Sequence, residues 1–414
     1  MHNLLGPWKE RKSGVIVPDR NFSEEFPDLR FREPPVEDIA LDLDRQSDYW
    51  YARSSHPDYT KLERLLVKAE APHVGDPEGN IDAAVFSSGM AAISAVIDAL
   101  AEGSDGKRFV AGKTLYYHTG ILLRDKRPKN LSETEFVDAT EPEKVREALE
   151  KNKGNIAALF FETVTNPTLD VTKVREMSKL AKEYDVPVVV DNTLLTPYLQ
   201  NPLMMGADIV IHSLSKYFNG MGDFLGGAVI GPYEFINDKN IGVKPLRASK
   251  GAALFPGHAN EIAKRMSGLA RRVDYHSRFA RELAGALRKN DKVERVYYPD
   301  LGEESRHGYA GGVLSFILKG QDEQERFERE KRFMQYATRK ASTPQHKVSF
   351  GMPNTAIIGE ANTYALIGRN LDEIKDILGK ANIPIGLIRI GVGRDVNRNT
   401  IIGIINDAVE HAYR

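Results

Sequence analysis

The stretch Val186-Pro187-Val188-Val189-Val190-Asp191-Asn192 decides the fold of this chain. An unbroken apolar run that ends in polar residues is typical of a strand buried on both faces of a parallel sheet. A similar run, Ile209-Val210-Ile211-His212, is followed by Ser213-Leu214-Ser215-Lys216. Because neighbouring parallel strands end at the same edge of a sheet, we expect Asp191 and Lys216 to converge on one small ligand.

The combination of this lysine with this aspartate points to pyridoxal phosphate (PLP). A PLP enzyme needs an amine that forms a Schiff base with the cofactor and a carboxylate that keeps the pyridine nitrogen protonated. Each residue has an ordinary alternative, since a strand-terminal aspartate often caps a turn or a helix and a Ser-x-Lys sequence is common. The surroundings favour the cofactor, because short hydroxyls flank Lys216 and glycines that permit tight turns follow it, at Gly220, Gly222, Gly226 and Gly227.

Apolar runs alternate with helical patterns from Ala83 to about Gly231 and predict an α/β fold. The predicted strands are 84–86, 108–111, 156–161, 186–190, 209–212 and 226–230, and the predicted helices are 90–100 and 171–184. Such alternation is typical of a mostly parallel sheet that is covered on both faces. Further along, the pattern predicts a smaller α+β unit, with a helical stretch at 260–288, strands at 293–298, 312–318, 347–350 and 387–392, and helices at 321–336, 372–381 and 399–413.

Length and composition narrow the possibilities. A chain of 414 residues is too long for one compact core, so we predict an extended N-terminal arm at 1–65, a large domain at 66–258 and a smaller domain at 259–414. A net charge of −1 indicates neither nucleic acid nor a membrane as a partner. The chain has no cysteine, which excludes disulfides, thiolate metal sites and a cysteine nucleophile. We expect no metal, no signal peptide and a cytoplasmic location.

The chain resembles the cystathionine γ-synthase/γ-lyase family of PLP enzymes, also called the transsulfuration or Cys/Met-metabolism family. The resemblance runs loosely from about Tyr51 to the C-terminus. It implies the type I fold of PLP-dependent transferases, similar to aspartate aminotransferase, and a homotetramer built from two dimers with shared active sites. It is densest in the segments Glu162-Thr163, Thr165-Asn166-Pro167-Thr168-Leu169, Asp191-Asn192-Thr193, Thr196-Pro197-Tyr198, Gly206-Ala207-Asp208, His212-Ser213-Leu214-Ser215-Lys216-Tyr217, Asn219-Gly220 and Gly226-Gly227.

The resemblance implies a phosphate site between a strand and a helix. Ser88, Gly89 and Met90 correspond to the family's phosphate-binding turn, with the hydroxyls of Ser213 and Ser215 opposite. Free N–H groups at a helix N-terminus favour an anion, and glycine lets the backbone come close to it.

The resemblance also implies cofactor contacts from aromatic and cationic residues. Tyr51 and Arg53 correspond to a pair that reaches the phosphate in the neighbouring subunit. Bidentate contact with a phosphate suits an arginine well. Tyr116 corresponds to the tyrosine that stacks on the cofactor ring and acts as an acid or base, and the adjacent Tyr117 leaves that register open by one residue.

The substrate contacts are implied in the same way. Arg389 interrupts an apolar strand, and a buried arginine needs a partner. A substrate α-carboxylate would pair with it, and Ser349 corresponds to a companion contact. Asn166 and Asn192 are expected to be amides that face the cofactor or the substrate.

The segments nearest the substrate side chain depart from the family. The family usually has Ser-Leu-Gly-Gly-x-Glu where this chain has Ser349-Phe350-Gly351-Met352-Pro353-Asn354, and it usually has a serine where this chain has Gly391. Two small residues usually follow the stacking tyrosine, and here Tyr117 and His118 stand in their place. We therefore expect His118 and Asn354 to contact the substrate side chain.

The reaction implied is elimination or replacement at Cβ or Cγ of a sulfur-containing or O-acylhomoserine-type amino acid. The enzyme is then a PLP-dependent carbon–sulfur lyase or a γ-replacement transferase, and the sequence leaves that choice open. Two alternatives remain: the same chemistry on a different γ-substituted amino acid, and a catalytically inactive structural or regulatory member. The presence of both Lys216 and Asp191 argues against the inactive member.

Overall fold

The computed structural model describes residues 49, 51–72, 80–339, 344–347, 349–394 and 397–414. Positions 1–48 and 50, which hold most of the predicted N-terminal arm, lie outside these ranges. The described chain forms two sheets, one of seven strands and one of five, with helices packed against them. No helix within these ranges is long and apolar enough to cross a membrane.

The larger sheet confirms the mostly parallel α/β architecture. Its strands are β1 (Ile81–Phe86), β2 (Arg108–Gly112), β3 (Glu135–Val137), β4 (Ile156–Glu162), β5 (Val188–Asp191), β6 (Ile209–His212) and β7 (Gly227–Pro232). They lie in the order β1-β7-β6-β5-β4-β2-β3. Strands β2 to β6 pair in parallel, whereas β7 runs antiparallel to both of its neighbours.

Helices cover both faces of this sheet, which explains why its central strands are apolar throughout. The helices of this part of the chain are α1 (Pro57–Glu70), α2 (Gly89–Ala101), α3 (Tyr117–Asp125), α4 (Pro142–Lys151), α5 (Val174–Glu183), α6 (Thr196–Leu199), α7 (Tyr233–Asn237), α8 (Val243–Ser249) and α9 (Pro256–Arg265). Val189 belongs to the core that includes Val96 of α2. Val188 and Val190 belong to the core that includes Met177 of α5. Neighbouring residues of one strand thus enter separate cores, as strand geometry requires.

The smaller sheet contains β8 (Val293–Tyr297), β9 (Val313–Leu318), β10 (Gln345–His346), β11 (Ala356–Gly359) and β12 (Leu387–Gly391). Its order is β10-β11-β12-β9-β8, and its pairs are antiparallel except β10 with β11. The helices around it are α10 (Leu269–Arg288), α11 (Glu323–Arg339), α12 (Glu360–Leu366), α13 (Leu371–Lys380) and α14 (Arg398–His411). This is the α+β unit that the sequence predicts. The bound at 258/259 between the large and the smaller domain stays a prediction.

The extended arm predicted as far as residue 65 is wrong for its last residues, which belong to α1. Pro57 stands at the first helical position, where its fixed φ suits a helix, and His56 caps the helix by accepting from the N–H of Asp58. Tyr59, Leu62 and Leu66 recur at helical spacing and are buried. This periodicity was hidden behind the charged residues between them.

The strand predicted at 347–350 is also wrong. In this region β10 ends at His346, and Ser349 and Phe350 lie in a loop. Gly351 turns the chain with φ +76°, a left-handed conformation that ends an extended run. The next strand is β11, whose short buried run Ala356–Gly359 carries no alternating pattern in the sequence.

Candidate active site

Glu162, Asp191 and Lys216 lie at the carboxyl edge of the seven-stranded sheet. Glu162 ends β4 and pairs in register with Asp191, which ends β5. Lys216 follows the next strand, β6, by one turn in which its N–H donates to the carbonyl of Ser213 at 3.2 Å. Burial raises the pKa of Asp191 and lowers that of Lys216, and the charge of each residue opposes the shift of the other. The structure thus brings together the two side chains that the sequence singles out.

The amine of Lys216 is buried between a serine hydroxyl and an aromatic ring. Its Nζ donates a hydrogen bond to Oγ of Ser349 at 2.7 Å and lies 5.0 Å from the centre of the Phe350 ring. Burial and the charge of Arg389 lower the pKa of Lys216 to about 8, against the opposing charge of Asp191. A pKa near that value leaves roughly one amine in ten neutral at neutral pH, which a nucleophile or a base requires.

The carboxyl group of Asp191 is held between opposing influences. Burial raises its pKa, while hydrogen bonding by Thr193 and the charges of His212 and Lys216 lower it. The N–H of Thr193 donates to Oδ1 of Asp191 at 2.9 Å. His212 is itself buried, with Nε2 at 2.5 Å from Oε1 of Glu70. Burial is the largest of these effects, so the pKa of Asp191 lies above its ordinary value although Thr193, His212 and Lys216 favour the charged form.

The turn between β1 and α2 has the shape of an anion cradle. The hydroxyl of Ser88 caps α2 by accepting from the N–H of Ala91 at 3.1 Å. Among the residues that the structure describes, none accepts a hydrogen bond from the N–H of Gly89 or Met90. A Cβ on Gly89 would lie 2.9 Å from Cβ of Ser213, so only glycine fits against that residue. Two free N–H groups therefore point out of a helix N-terminus beside a serine.

The two serines around Lys216 have different surroundings. Ser213 packs against the Gly89 turn, and its N–H donates to the hydroxyl of Thr193 at 2.7 Å. The hydroxyl of Ser215 already bonds both the N–H and the carbonyl of Gly226, at 3.0 and 3.1 Å. Ser215 thus closes the loop that follows Lys216, and its contact with the phosphate stays a prediction.

Arg389 reaches the same pocket from the smaller sheet. It lies in β12 and is only 6% exposed. Its Nη1 donates to Oδ1 of Asn166 at 2.9 Å, and its Nε lies 3.9 Å from a carboxylate oxygen of Glu360. Burial lowers the pKa of Arg389, whereas the negative charge of Glu360 opposes that effect. The guanidinium thus stays a cation that faces Tyr116 and Lys216.

Tyr116, of the two adjacent tyrosines, is the one that faces this pocket. Its N–H donates to Oε1 of Glu162 at 2.5 Å, and its hydroxyl lies 3.2 Å from Nδ1 of His118. Burial raises its pKa and the charge of Arg389 lowers it. Tyr117 points elsewhere, with its ring edge-on to that of Tyr364. Tyr116 is thus the tyrosine that interacts with Arg389, and its stacking on the cofactor ring stays a prediction.

The comparisons with known proteins agree with this geometry. The sequence pattern of the Cys/Met metabolism PLP-dependent enzymes matches residues 31–404. The chain belongs to this family. It is 36% identical over 284 residues to an L-methionine gamma-lyase from Fusobacterium nucleatum subsp. polymorphum, an alignment that spans 66% of this chain and 68% of that protein. It is 31% identical over 358 residues to a cystathionine beta-lyase from Lactococcus lactis subsp. cremoris, which spans 85% and 86%.

A solved structure of the family superposes well on this chain. The crystal structure of cystathionine gamma synthase from Xanthomonas oryzae pv. oryzae in complex with cystathionine matches with a TM-score of 0.73 and 25% identity, over 88% of each chain. Membership in this family makes the chain a PLP-dependent enzyme with the type I fold.

The residues present in this chain of the Cys/Met-metabolism family fit PLP. A Cβ on Gly227 would lie 2.1 Å from the carbonyl oxygen of Ser88, so the backbone of β7 packs directly on the turn that would bind the phosphate. Lys216 and Asp191 would supply the amine and the carboxylate that the cofactor needs. Within the described ranges no group of three or more metal-ligating side chains exists.

The remaining predicted site residues are Tyr51, Arg53, His118 and Asn354. Tyr51 and Arg53 are exposed, with the guanidinium carbon 5.1 Å from the centre of the tyrosine ring. His118 is exposed and contacts Tyr116. Asn354 is half-buried and its backbone packs on Gly393, two residues beyond β12. The roles of these residues stay predictions.

The expectation that Asn192 faces the cofactor or the substrate is wrong. Asn192 is fully buried, it accepts a hydrogen bond from the hydroxyl of Thr163 at 3.1 Å, and it donates to the carbonyl of Gln200 at 2.9 Å. Its amide joins β4 to the end of α6 instead of facing a ligand. In a sequence, Asn192 looks like a site residue because it follows Asp191 directly.

Glu162 belongs to one of the segments that resemble the family, but the sequence alone gives it no role. Glu162 accepts hydrogen bonds from the N–H groups of Tyr116 and Asn166, at 2.5 and 3.3 Å. It thus links the backbone of Tyr116 to that of Asn166, the residue whose amide oxygen accepts from Arg389. One feature of the sequence does indicate that Glu162 lies at the site. It follows an apolar run directly, as Asp191 does.

Proposed function

We propose that this protein is a lyase that breaks the carbon–sulfur bond of a sulfur-containing amino acid. The observation that carries the proposal is the convergence of Lys216, Asp191 and Arg389 in one buried pocket. The two relatives described above, an L-methionine gamma-lyase and a cystathionine beta-lyase, support it. The superposition on a cystathionine gamma synthase favours a second candidate, the replacement reaction.

PLP, when bound, supplies an electron-accepting ring that stabilises negative charge at the substrate Cα. Lys216 would hold the cofactor covalently through Nζ. The carboxylate of Asp191 would keep the pyridine nitrogen protonated. The N–H groups of Gly89 and Met90 would bind the phosphate at the start of α2.

Arg389 positions the substrate. Its guanidinium binds the α-carboxylate in a bidentate manner, which orients the substrate for reaction at Cα. Asn166 holds Nη1 of Arg389, and Ser349 gives a companion contact with the same carboxylate. These contacts are the same for every amino-acid substrate, because all of them carry the α-carboxylate.

Two residues move protons. Once its amine is free, Lys216 takes the proton from the substrate Cα, because a pKa of about 8 makes it a competent base. Burial raises the pKa of Tyr116, so its hydroxyl is protonated at neutral pH and gives its proton to the departing sulfur. The Nδ1 of His118, 3.2 Å away, keeps that hydroxyl oriented.

The assembly we propose is a homotetramer of two dimers, in which Tyr51 and Arg53 reach the phosphate of the neighbouring subunit. Its support is the exposure of both side chains on a segment that precedes α1. Sedimentation equilibrium measures the assembly directly, and a monomer would contradict it. The cytoplasmic location stays a prediction, supported by the lack of cysteine.

A substrate screen tests the proposed reaction. The purified protein is loaded with PLP and incubated with methionine, homocysteine, cystathionine or an O-acylhomoserine, with and without an added thiol. Release of ammonia, a keto acid and a thiol without the added thiol supports the lyase. Product formation that requires the added thiol supports the replacement reaction, and no reaction with any of these compounds overturns both.

A further inference from the structure

The amine of Lys216 lies over an aromatic ring to which the proposed reaction gives no role. Its Nζ is 5.0 Å from the centre of the Phe350 ring, and Phe350 is 5% exposed. The hydrogen bond to Ser349 comes from the preceding residue of the same loop. One short loop therefore supplies both contacts of the amine.

Two glycines allow this loop to come so close. A Cβ on Gly351 would lie 2.9 Å from the carbonyl carbon of Lys216 and from the N of Tyr217. A Cβ on Gly391 would lie 2.8 Å from Cβ of Phe350. The loop is thus wedged between the backbone of Lys216 and strand β12. The aromatic residue at 350 and the glycine at 391 are two of the positions at which this chain departs from its family, and the structure shows them in contact.

The ring is also fixed on its other side. Its centre lies 5.6 Å from that of Tyr217, which follows Lys216 directly. Tyr217 is fully buried, and its hydroxyl accepts a hydrogen bond from the N–H of Gly312 at 2.9 Å. This close packing fixes the orientation of the Phe350 ring beside the amine.

The face of an aromatic ring attracts a cation within about 6 Å, and the attraction grows when water is excluded. Lys216 is largely shielded from water, and this burial is the main reason why its pKa is lowered. Two charged side chains face the amine, namely Arg389 from the smaller sheet and Asp191 from the larger one, and they act in opposite directions. The ring adds an attraction for the protonated amine that neither of these charges can replace.

We propose that Phe350 is a positioning residue for Lys216: its ring face binds the protonated amine and keeps it at one wall of the pocket whenever it is not bonded to the cofactor. A proton taken from the substrate then stays on an amine of defined position until it is delivered. The inference rests on the role proposed for Lys216 above, but its test does not require turnover.

The test measures the protonation of Lys216 in the full-length chain after removal of PLP. Trace acetylation with acetic anhydride, followed by peptide mass spectrometry, gives the pH midpoint at which Lys216 becomes reactive. In Phe350→Leu the midpoint should fall by about 0.5 to 1 pH unit, because the group that favours the cation is lost. Phe350→Tyr keeps an aromatic face, so its midpoint should equal that of the unchanged protein.

Phe235→Leu is the matched control, since Phe235 is a fully buried ring in the apolar core against α2. It should lose stability on thermal unfolding without moving the midpoint of Lys216. If Phe350→Leu does not fold, Phe350→Met, of similar volume, answers the same question. An unchanged or raised midpoint in a folded Phe350→Leu or Phe350→Met protein would overturn the inference, and so would a fall of equal size in Phe350→Tyr. A protein inactive in the substrate screen but with the expected midpoints would contradict the proposed function only.

Discussion

Glu162 and Asp191 lie side by side in register at the ends of β4 and β5. Burial and then the charge of Asp191 raise the pKa of Glu162 to about 8. Two buried carboxyl groups at this distance do not both ionise readily, so the pair retains a proton near neutral pH. Because Glu162 also accepts from the N–H groups of Tyr116 and Asn166, its protonation state affects the hydrogen bonds that hold both residues.

The first prediction concerns stability. The pKa of Glu162 is raised from 4.5 when unfolded to about 8 when folded. Its contribution to folding is therefore complete below the unfolded pKa and is lost as the pH rises through the folded pKa. Glu162→Gln removes the titrating group, so the Tm of the variant relative to the unchanged protein should rise between about pH 5 and pH 9.

Thermal unfolding of the full-length chain without PLP measures this difference. Glu143→Gln is the control, because Glu143 is exposed on α4 and should shift Tm equally at every pH. A Tm difference for Glu162→Gln that is constant across this pH range would show that Glu162 has the same pKa in both states.

The second prediction is that Lys216→Ala abolishes turnover and covalent attachment of PLP. Lys216 is the lysine that the structure places between Asp191, Arg389 and the phosphate turn. Borohydride reduction followed by peptide mapping locates the cofactor-bearing residue in the unchanged protein. Lys264→Ala, on the exposed face of α9, should keep full activity. PLP trapped on any lysine other than Lys216 would refute the assignment.

The third prediction separates cofactor binding from catalysis. Asp191→Asn keeps the hydrogen bond from Thr193 possible but removes the negative charge beside the pyridine nitrogen. PLP should stay bound, while kcat falls at least about 100-fold, as when a fixed electrostatic contact is removed from a site. Equilibrium dialysis and steady-state kinetics measure the two quantities. A nearly unchanged kcat would make Asp191 a structural cap of the turn that follows β5.

The fourth prediction concerns the shared sites of the proposed dimer. Arg53→Ala and Lys216→Ala are each expected to be inactive. In a mixed dimer, one site has Lys216 from one subunit and Arg53 from the other, so about one quarter of the sites should be active after random pairing. Light scattering and native mass spectrometry verify subunit exchange. The absence of any activity after verified exchange would mean that each subunit builds its own site.

The sequence predicts those parts of the site that depend on local pattern. Asp191 and Lys216 follow apolar strands, and a strand covered on both faces has to be apolar throughout, so their positions at the sheet edge could be derived. The contacts of Arg389 with Asn166 and Glu360 join segments that are distant along the chain and carry no local signal. The loop at Ser349 and Phe350 was predicted as a strand because its direction depends on the turn at Gly351 and on the backbone of Lys216.

The last prediction separates the recognition that all substrates share from the recognition that distinguishes them. Arg389 binds the α-carboxylate of every amino acid in our proposal, so Arg389→Ala should reduce kcat/KM for each substrate by a similar factor. The expected cost is roughly 2–5 kcal/mol, as for a charge left without its partner in a buried site. A loss confined to one substrate would place Arg389 at the side chain instead.

His118 and Asn354 should behave in the opposite way. They stand where this chain departs from its family, and His118 contacts the hydroxyl of Tyr116, the proposed acid for the leaving group. His118→Gly and Asn354→Glu should therefore change the ratio of kcat/KM between methionine and cystathionine and leave the absorbance spectrum of the bound cofactor as it was. His118 is exposed and Asn354 is half-buried, so thermal unfolding of both variants is the control that ties a changed ratio to recognition. If the ratio stays constant in both variants, neither residue lies beside the substrate side chain, and the choice of substrate is made elsewhere in the pocket.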